Sequence, residues 1–251
     1  MWCKERRAND WIIRLNVEYL NHLSSLFVTL TYDDEHLPHS PTGFPIINKH
    51  DLQLFFRYLR RRGYVFKYFA VSEYGPTSLR PHYHIIMFGL DALALQDIAE
   101  CWKGGFVSVY PVRGGSINYV SRYSLMHAEL PGYLLKKPYK PFMICSKGIG
   151  KSYVEDKDVV NFHIYNMETS YNMNGYTKSL PRYYRDKIFV DDVKETMSQN
   201  WLDTSRKYRG EDAVQRTYHY NEWKNEYEQH KLRYDRFVQK VKNEFTKKSK
   251  I

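Results

Sequence analysis

The stretch HYHIIMF, residues 82–88, decides how the middle of this chain folds. Its aromatic and β-branched residues predict a β-strand. Side chains on a strand alternate between two faces, so His82 and His84 point the same way and Tyr83 points the opposite way. Two imidazoles on one face can bind one divalent ion. The alternative is that both histidines are simply half-buried residues of a strand.

The chain just before this stretch favours the metal interpretation. Glu73 closes a second predicted strand, 66–73, and Gly75-Pro76 then turns the chain back towards His82. If the two strands pair, we expect Glu73 to lie near the histidine pair. One carboxylate with two imidazoles leaves positions open for a substrate oxygen, and this mixed ligand set suits Mg²⁺ or Mn²⁺. A surface salt bridge is the alternative for Glu73.

Strand and helix patterns alternate outward from this point. Residues 26–32, 66–73, 82–88 and 105–110 read as strands, and residues 5–20, 49–62, 91–103 and 115–128 read as helices. From the first strand onward the order is β, α, β, β, α, β, α. This order predicts an α+β fold of the split βαβ, RRM-like type, an antiparallel sheet with helices on one face.

The pattern weakens after residue 136, although Asn174-Gly175 is typical of a hairpin turn. The last 40 or so residues show a clear helical period. Their aromatic and apolar positions recur at steps of three and four: Tyr220, Trp223, Tyr227, Tyr234, Phe237 and Val241. We expect a C-terminal amphipathic helix that docks on the body of the protein or self-associates, and the oligomeric state stays open.

Composition points to a polyanionic partner. The chain has 251 residues and a formal net charge of +10, and its 23 tyrosines supply rings on which unpaired bases can stack. The three cysteines form no CxxC pair, which argues against a disulfide framework and a cysteine-based zinc site. The apolar runs are too short to cross a bilayer, so no membrane partner is expected.

Tyr119 and Tyr123 form a second candidate group. They lie four residues apart in a predicted helix and therefore share one face. Chance predicts roughly two such pairs in a chain so rich in tyrosine. The other pair, Tyr64 and Tyr68, follows Gly63 and runs into a strand, so its members are not helical neighbours. Of the two pairs, therefore, Tyr119 and Tyr123 alone lie in a predicted helix.

Three segments, taken in order, resemble the motifs of the HUH endonuclease superfamily. FVTLTY (27–32) resembles motif I, RPHYH (80–84) the metal motif, and YVSRY (119–123) the two-tyrosine motif. More narrowly, the chain resembles the replication initiators of the Microviridae, especially the gokushovirus type. The flanking segments RRANDW (6–11), SKGIG (146–150) and LPRYY (180–184) support this narrower resemblance.

The resemblance implies a rolling-circle replication initiator that nicks single-stranded origin DNA in the host bacterial cytoplasm. It implies that Tyr119 or Tyr123 attacks the strand, leaving a 5′-phosphotyrosine link and a free 3′-OH, and that His82, His84 and Glu73 hold the metal. Arg80 and Arg122 are then expected to contact DNA. A host helicase and DNA polymerase are the implied partners.

The implied domain organisation has three parts. We expect an HUH endonuclease core over residues 1–135, an extension over 136–200 and a basic amphipathic tail over 201–251.

The chain departs from the family pattern at two places. Arg122 stands where relatives usually carry lysine between the tyrosines. Arginine keeps the charge but is not a base near neutral pH, so phosphate contact is the role expected for it. Relatives also carry cysteines upstream of the position of Cys3, which leaves open whether a segment precedes Met1.

Other functions predict different features. A relaxase or transposase of the same superfamily shares the chemistry, and a non-catalytic RRM-like module needs aromatic residues on the sheet face where the histidines project. The segment GIGKS (148–152) suggests a phosphate-binding loop, but Cys145 stands where that loop requires glycine. We therefore expect no ATP site.

Overall fold

A computed structural model describes residues 2–75, 78–123, 130–135, 138–173, 175–189 and 195. Its centre is a five-stranded antiparallel sheet. The strands are β1 (Ser25–Tyr32), β2 (Lys67–Tyr74), β3 (Pro81–Phe88), β4 (Gly105–Pro111) and β5 (Met143–Cys145). The helices are α1 (Trp2–Leu20), α2 (Lys49–Arg61), α3 (Leu95–Cys101), α4 (Gly114–Tyr123), α5 (Ser152–Glu155), α6 (Lys157–Tyr165) and α7 (Arg182–Ile188).

The predicted α+β class and split βαβ arrangement are confirmed. The strands lie in the order β4-β1-β3-β2-β5, so the chain path β1-α2-β2-β3-α3-β4 forms the expected four-stranded unit. Strand β5 lies beyond residue 135 and extends the sheet at the β2 edge. The sheet therefore continues past the boundary expected for the nuclease core.

Helices α2 and α3 cover one face of the sheet. Asn48 caps α2 by accepting a hydrogen bond from the His50 N–H at 3.0 Å, and Gly63 follows the helix with a φ of +92°. Leu52, Phe55, Phe56 and Leu59 recur at helical spacing and are buried. They pack against the apolar side chains of β1 and β3 and form the larger of the two cores.

Helices α1 and α4 cover the other face, which corrects the expectation of helices on one face only. Leu15 of α1 and Val120 of α4 belong to a second core with Phe69 and Ile86. The reason lies in the strands. Residues 83–88 of β3 are buried without a break. This strand therefore has apolar side chains on both faces of the sheet, and each face must be covered by helices.

A loop at residues 146–150 is fixed to α1 by polar contacts. The Glu18 carboxylate accepts a hydrogen bond from the Gly150 N–H at 2.7 Å and pairs with the Lys67 ammonium at 2.9 Å. Arg14 donates to the Ile149 carbonyl. Burial raises the pKa of Glu18, but the hydrogen bonds from Lys67, Gly150 and His22 together hold it below its ordinary value.

The described residues form two compact units. The first contains Met1–Glu155 and Tyr171–Pro181, and the second contains Asp156–Ser170 and the described residues from 182 on. The strands β6 (Ser170–Met173) and β7 (Tyr176–Ser179) pair with each other, as the Asn174-Gly175 turn predicted. No helix among the described residues is both long and apolar enough to cross a membrane.

The expected C-terminal amphipathic helix, at residues 201–251, lies outside the described residues. The end of the helix predicted to reach residue 128 also lies outside the described residues, which do not include 124–129.

Candidate active site

The β2–β3 hairpin brings Glu73, His82 and His84 together. Glu73 lies directly opposite His82 in the strand register. Its Oε2 atom is 3.6 Å from His82 Nε2 and 3.2 Å from His84 Nε2. One ligand atom from each of the three residues lies within 4.8 Å of the others. Tyr83 points into the opposite core, as the alternation predicted.

Hydrogen bonds at the far nitrogens orient both imidazoles. His82 Nδ1 is 3.1 Å from the Arg80 carbonyl oxygen, and His84 Nδ1 is 3.1 Å from the Thr29 hydroxyl. A carbonyl oxygen only accepts, so His82 Nδ1 carries a proton and Nε2 is the ring nitrogen that faces Glu73. Metal-binding histidines commonly have this arrangement.

The Glu73 carboxylate lies against the two imidazoles. Burial raises its pKa, but hydrogen bonds and positive charge from protonated His82 and His84 would outweigh burial and lower that pKa to about 2. Glu73 Oε2 is buried and has no hydrogen-bond partner among the described residues. When the imidazoles are neutral, a carboxylate oxygen faces a ring lone pair. A cation between the two atoms would satisfy both and remove the cost of burying them unpaired. The donor set therefore fits a divalent metal.

Tyr119 on α4 reaches this group from above the sheet. Its hydroxyl is 3.3 Å from His84 Nε2, and its side chain keeps 37% of its surface exposed. Phe27 of β1 supports both rings, because it stacks parallel to His84 at 5.8 Å and meets the edge of Tyr119 at 6.2 Å. A solvent-accessible phenol thus borders the candidate metal ligands.

The other predicted site residues lie around this centre. Arg122 is exposed on α4, one turn beyond Tyr119. Tyr123 is the last residue of α4, but its side chain lies outside the described residues. Arg80 donates to the Tyr32 carbonyl at 2.8 Å and pairs with Asp34. These contacts occupy part of the Arg80 guanidinium, and its contact with DNA stays a prediction.

Sequence reasoning missed the supporting roles of Phe27 and Thr29. Thr29 lies opposite His84 in the β1–β3 register, and alternation places Phe27 on the same face. The alternating pattern of residues 26–32 gives their shared face. The pattern gives no sign that β1 pairs with β3, because the paired residues Thr29 and His84 are 55 positions apart in the chain.

A family model for the replication-associated protein ORF2 matches residues 25–127, which include the hairpin and α4. Among solved structures, ORF119 of Sulfolobus islandicus rod-shaped virus 1 is 18% identical with a TM-score of 0.33, covering 47% of this chain and 97% of that one. The N-terminal nuclease domain of minute virus of mice non-structural protein 1 is 8% identical with a TM-score of 0.24, covering 59% and 82%. TM-scores this low support no conclusion.

Sequence relatives come from bacterial viruses. Replication-associated protein ORF2 of Spiroplasma virus 4 is 28% identical over 247 residues, covering 82% of this chain and 76% of that protein. Replication-associated protein VP4 of Bdellovibrio phage phiMH2K is 26% identical, covering 82% and 70%. ORF4 of Chlamydia phage 1 is 28% identical over 145 residues, covering 48% and 35%. These matches confirm the resemblance drawn from the motifs: the chain is similar to replication-associated proteins of bacterial viruses.

Proposed function

We propose that this chain initiates rolling-circle replication by nicking single-stranded origin DNA as an HUH-type endonuclease. One observation carries the proposal. The Tyr119 hydroxyl lies 3.3 Å from the same His84 nitrogen that faces the buried Glu73 carboxylate at 3.2 Å. A candidate nucleophile therefore lies next to a candidate metal site, as metal-assisted phosphoryl transfer requires.

His82, His84 and Glu73 would hold the metal, with Mg²⁺ or Mn²⁺ the ions we favour. Two imidazole nitrogens and one carboxylate oxygen leave coordination positions free for phosphate oxygens. When bound, the ion supplies Lewis-acid charge neutralisation to the scissile phosphate. The chain itself fixes the ligands, because Thr29 and the Arg80 carbonyl orient the rings before any ion arrives.

Tyr119 would act as the nucleophile. Its hydroxyl oxygen attacks phosphorus, the bond from phosphorus to the 3′ oxygen breaks, and the phenolic proton is lost as the departing oxygen gains one. The products are a 5′-phosphotyrosine ester and a free 3′-OH. The number of phosphoester bonds is unchanged, so the strand can be rejoined without ATP.

Two neighbours on α4 complete the proposed chemistry. A free phenol has a pKa near 10, and the Arg122 charge would favour its ionised form and contact phosphate. Tyr123, one helical turn after Tyr119, would attack the regenerated origin while the first tyrosine holds the old 5′ end. Alternation of the two tyrosines would then release a closed product strand.

The remaining partners follow from this product. A free 3′-OH is the end that a DNA polymerase extends, so we propose host polymerase and host helicase as partners in the bacterial cytoplasm. Arg80 would add a DNA contact beside the hairpin. The proposed organisation keeps a nuclease core over residues 1–135, an extension over 136–200 and a basic tail over 201–251.

Covalent capture tests the proposal. Wild-type protein, Mn²⁺ and a labelled origin oligonucleotide should give an adduct that survives SDS, and peptide mapping should place it on Tyr119. Tyr119→Phe should reduce the adduct at least about 1,000-fold at this position, and Tyr119→Phe with Tyr123→Phe should abolish it. The matched control is Tyr110→Phe, an exposed tyrosine on β4.

A non-catalytic binding module would give no adduct with the wild-type chain, and this result would reject the proposal. The fold already disfavours such a module, because α1 and α4 cover the sheet face that it would use.

A further inference from the structure

An open groove of about 640 Å³ lies beside Tyr119, within the first unit. One wall is the outer side of α4, and the other is the β6–β7 hairpin. The groove is lined by Gly115, Asn118, Tyr119, Arg122, Met173, Tyr176 and Lys178. The proposed chemistry uses Tyr119 and Arg122 but leaves the hairpin residues without a role.

The lining has the chemistry of a single-stranded nucleic-acid site. Arg122 and Lys178 are cationic, and none of the described lining residues is acidic. Lys178 is held in place by donating a hydrogen bond to Asn9 of α1 at 2.9 Å. Tyr176 keeps 73% of its surface exposed although it lies on a strand. Cations beside an exposed ring form the usual platform for an unpaired base and its phosphates.

We propose that this groove binds a nucleotide of single-stranded DNA next to the phosphate that Tyr119 attacks. The Tyr176 ring stacks on the base, and Lys178 and Arg122 contact the flanking phosphates. Bases in a duplex are already stacked and do not offer a free face to Tyr176. That the strand leads to Tyr119 rests on the proposed function, whereas binding of single-stranded DNA in the groove does not.

Two adjacent glycines supply a matched pair of variants. Gly115 lines the groove and Gly114 does not. A Cβ added at either position meets no atom within 4 Å, and neither residue has a positive φ. Both lie in the first turn of α4, where leucine favours the helix more than glycine does. Gly115→Leu should therefore fill the groove without harming the fold, and Gly114→Leu should leave the groove open.

The experiment measures fluorescence anisotropy of a fluorescein-labelled oligodeoxythymidine with the full chain. Tyr176→Ala and Gly115→Leu should each weaken binding at least about 5-fold, and Gly114→Leu should match wild type. Lys178→Ala and Arg122→Ala should each lower the slope of log affinity against log salt by about 0.7. Lys103→Ala, an exposed residue just after α3, is the charge control and should change the slope less.

The groove proposal would be overturned if Tyr176→Ala and Gly115→Leu both bind the oligonucleotide with wild-type affinity while thermal unfolding shows that both variants are folded. Equal weakening by Gly114→Leu and Gly115→Leu would also overturn it. The covalent assay reports separately on the chemistry. If wild type forms the adduct but the groove variants bind the oligonucleotide as tightly as wild type, the groove proposal alone is rejected. If the groove variants bind more weakly but wild type forms no adduct, the nicking chemistry alone is rejected.

Discussion

Buried polar groups on the two faces of the β2–β3 hairpin differ in whether they are hydrogen-bonded. On one face, the Tyr83 hydroxyl accepts from the Asn48 N–H at 3.0 Å and donates to the Asn48 carbonyl at 2.7 Å. On the other face, Glu73 Oε2 is buried beside His82 and His84 without a hydrogen bond among the described residues. Glu73 belongs to β2 and lies opposite His82 of β3, so the alternation of side chains along the paired strands separates the two environments.

The difference supports the proposal that one face is structural and the other functional. Buried polar groups in a folded protein are normally satisfied, and Tyr83 follows this rule. An unsatisfied buried carboxylate facing two ring nitrogens is costly unless a cation or proton joins them. The proposed ligand set therefore lies on one face of the hairpin, and the other face anchors α2 through its N-cap residue Asn48.

His84→Ala should show the largest effect and tests the functional face. Loss of a ligand and of the contact to Tyr119 should slow adduct formation more than about 100-fold. Mn²⁺ bound at the proposed site of the folded protein should raise the melting temperature of wild type, by an amount equivalent to about 2.7 kcal/mol at 100 times Kd. This rise should vanish in the variant. Wild-type adduct rates, or an unchanged Mn²⁺ effect, would contradict the assignment.

Tyr83→Phe should have an intermediate effect and tests the structural face. The Asn48 N–H and carbonyl lose a partner, which should lower the free energy of unfolding by about 1–3 kcal/mol in urea titrations. The rate of adduct formation by folded protein and the effect of Mn²⁺ should equal those of wild type. A variant that stays as stable as wild type but loses metal binding would reverse the roles of the two faces.

Glu18→Gln should have the smallest effect and sharpens the contrast between two buried carboxylates. Glu18 is satisfied by Lys67 and Gly150, so its loss should cost about 1 kcal/mol of stability and leave the effect of Mn²⁺ unchanged. The folded pKa of Glu18 lies below its ordinary 4.5. Its contribution is therefore full above about pH 4.5 and is lost as the pH falls through the folded pKa.

Urea titrations of wild type and Glu18→Gln at several pH values check this dependence. The difference in unfolding free energy should shrink with acid, and a difference that grows below about pH 4.5 would contradict the sign of the shift.

Most of the fold was predictable because local periodicity carries it. The strand and helix order gave the split βαβ unit, and the Gly75-Pro76 turn gave the approach of Glu73 to His82. The helices α1 and α4 were predicted, but their position on the second face was missed because an apolar run in β3 looks the same whether one or both faces are covered. The groove beside Tyr119 was also missed, since it joins α4 to a hairpin far along the chain.

Local order along the chain was enough to place His82 and His84 on one face, Tyr83 on the other and Tyr119 on a helix. These are consequences of geometry over two to four residues, which the order of side chains settles. The three-dimensional packing was needed to show that α4 crosses above the histidines, that Thr29 and Phe27 hold His84, and that a distant hairpin borders Tyr119. Such contacts depend on how separate elements pack, and no short-range pattern records that choice.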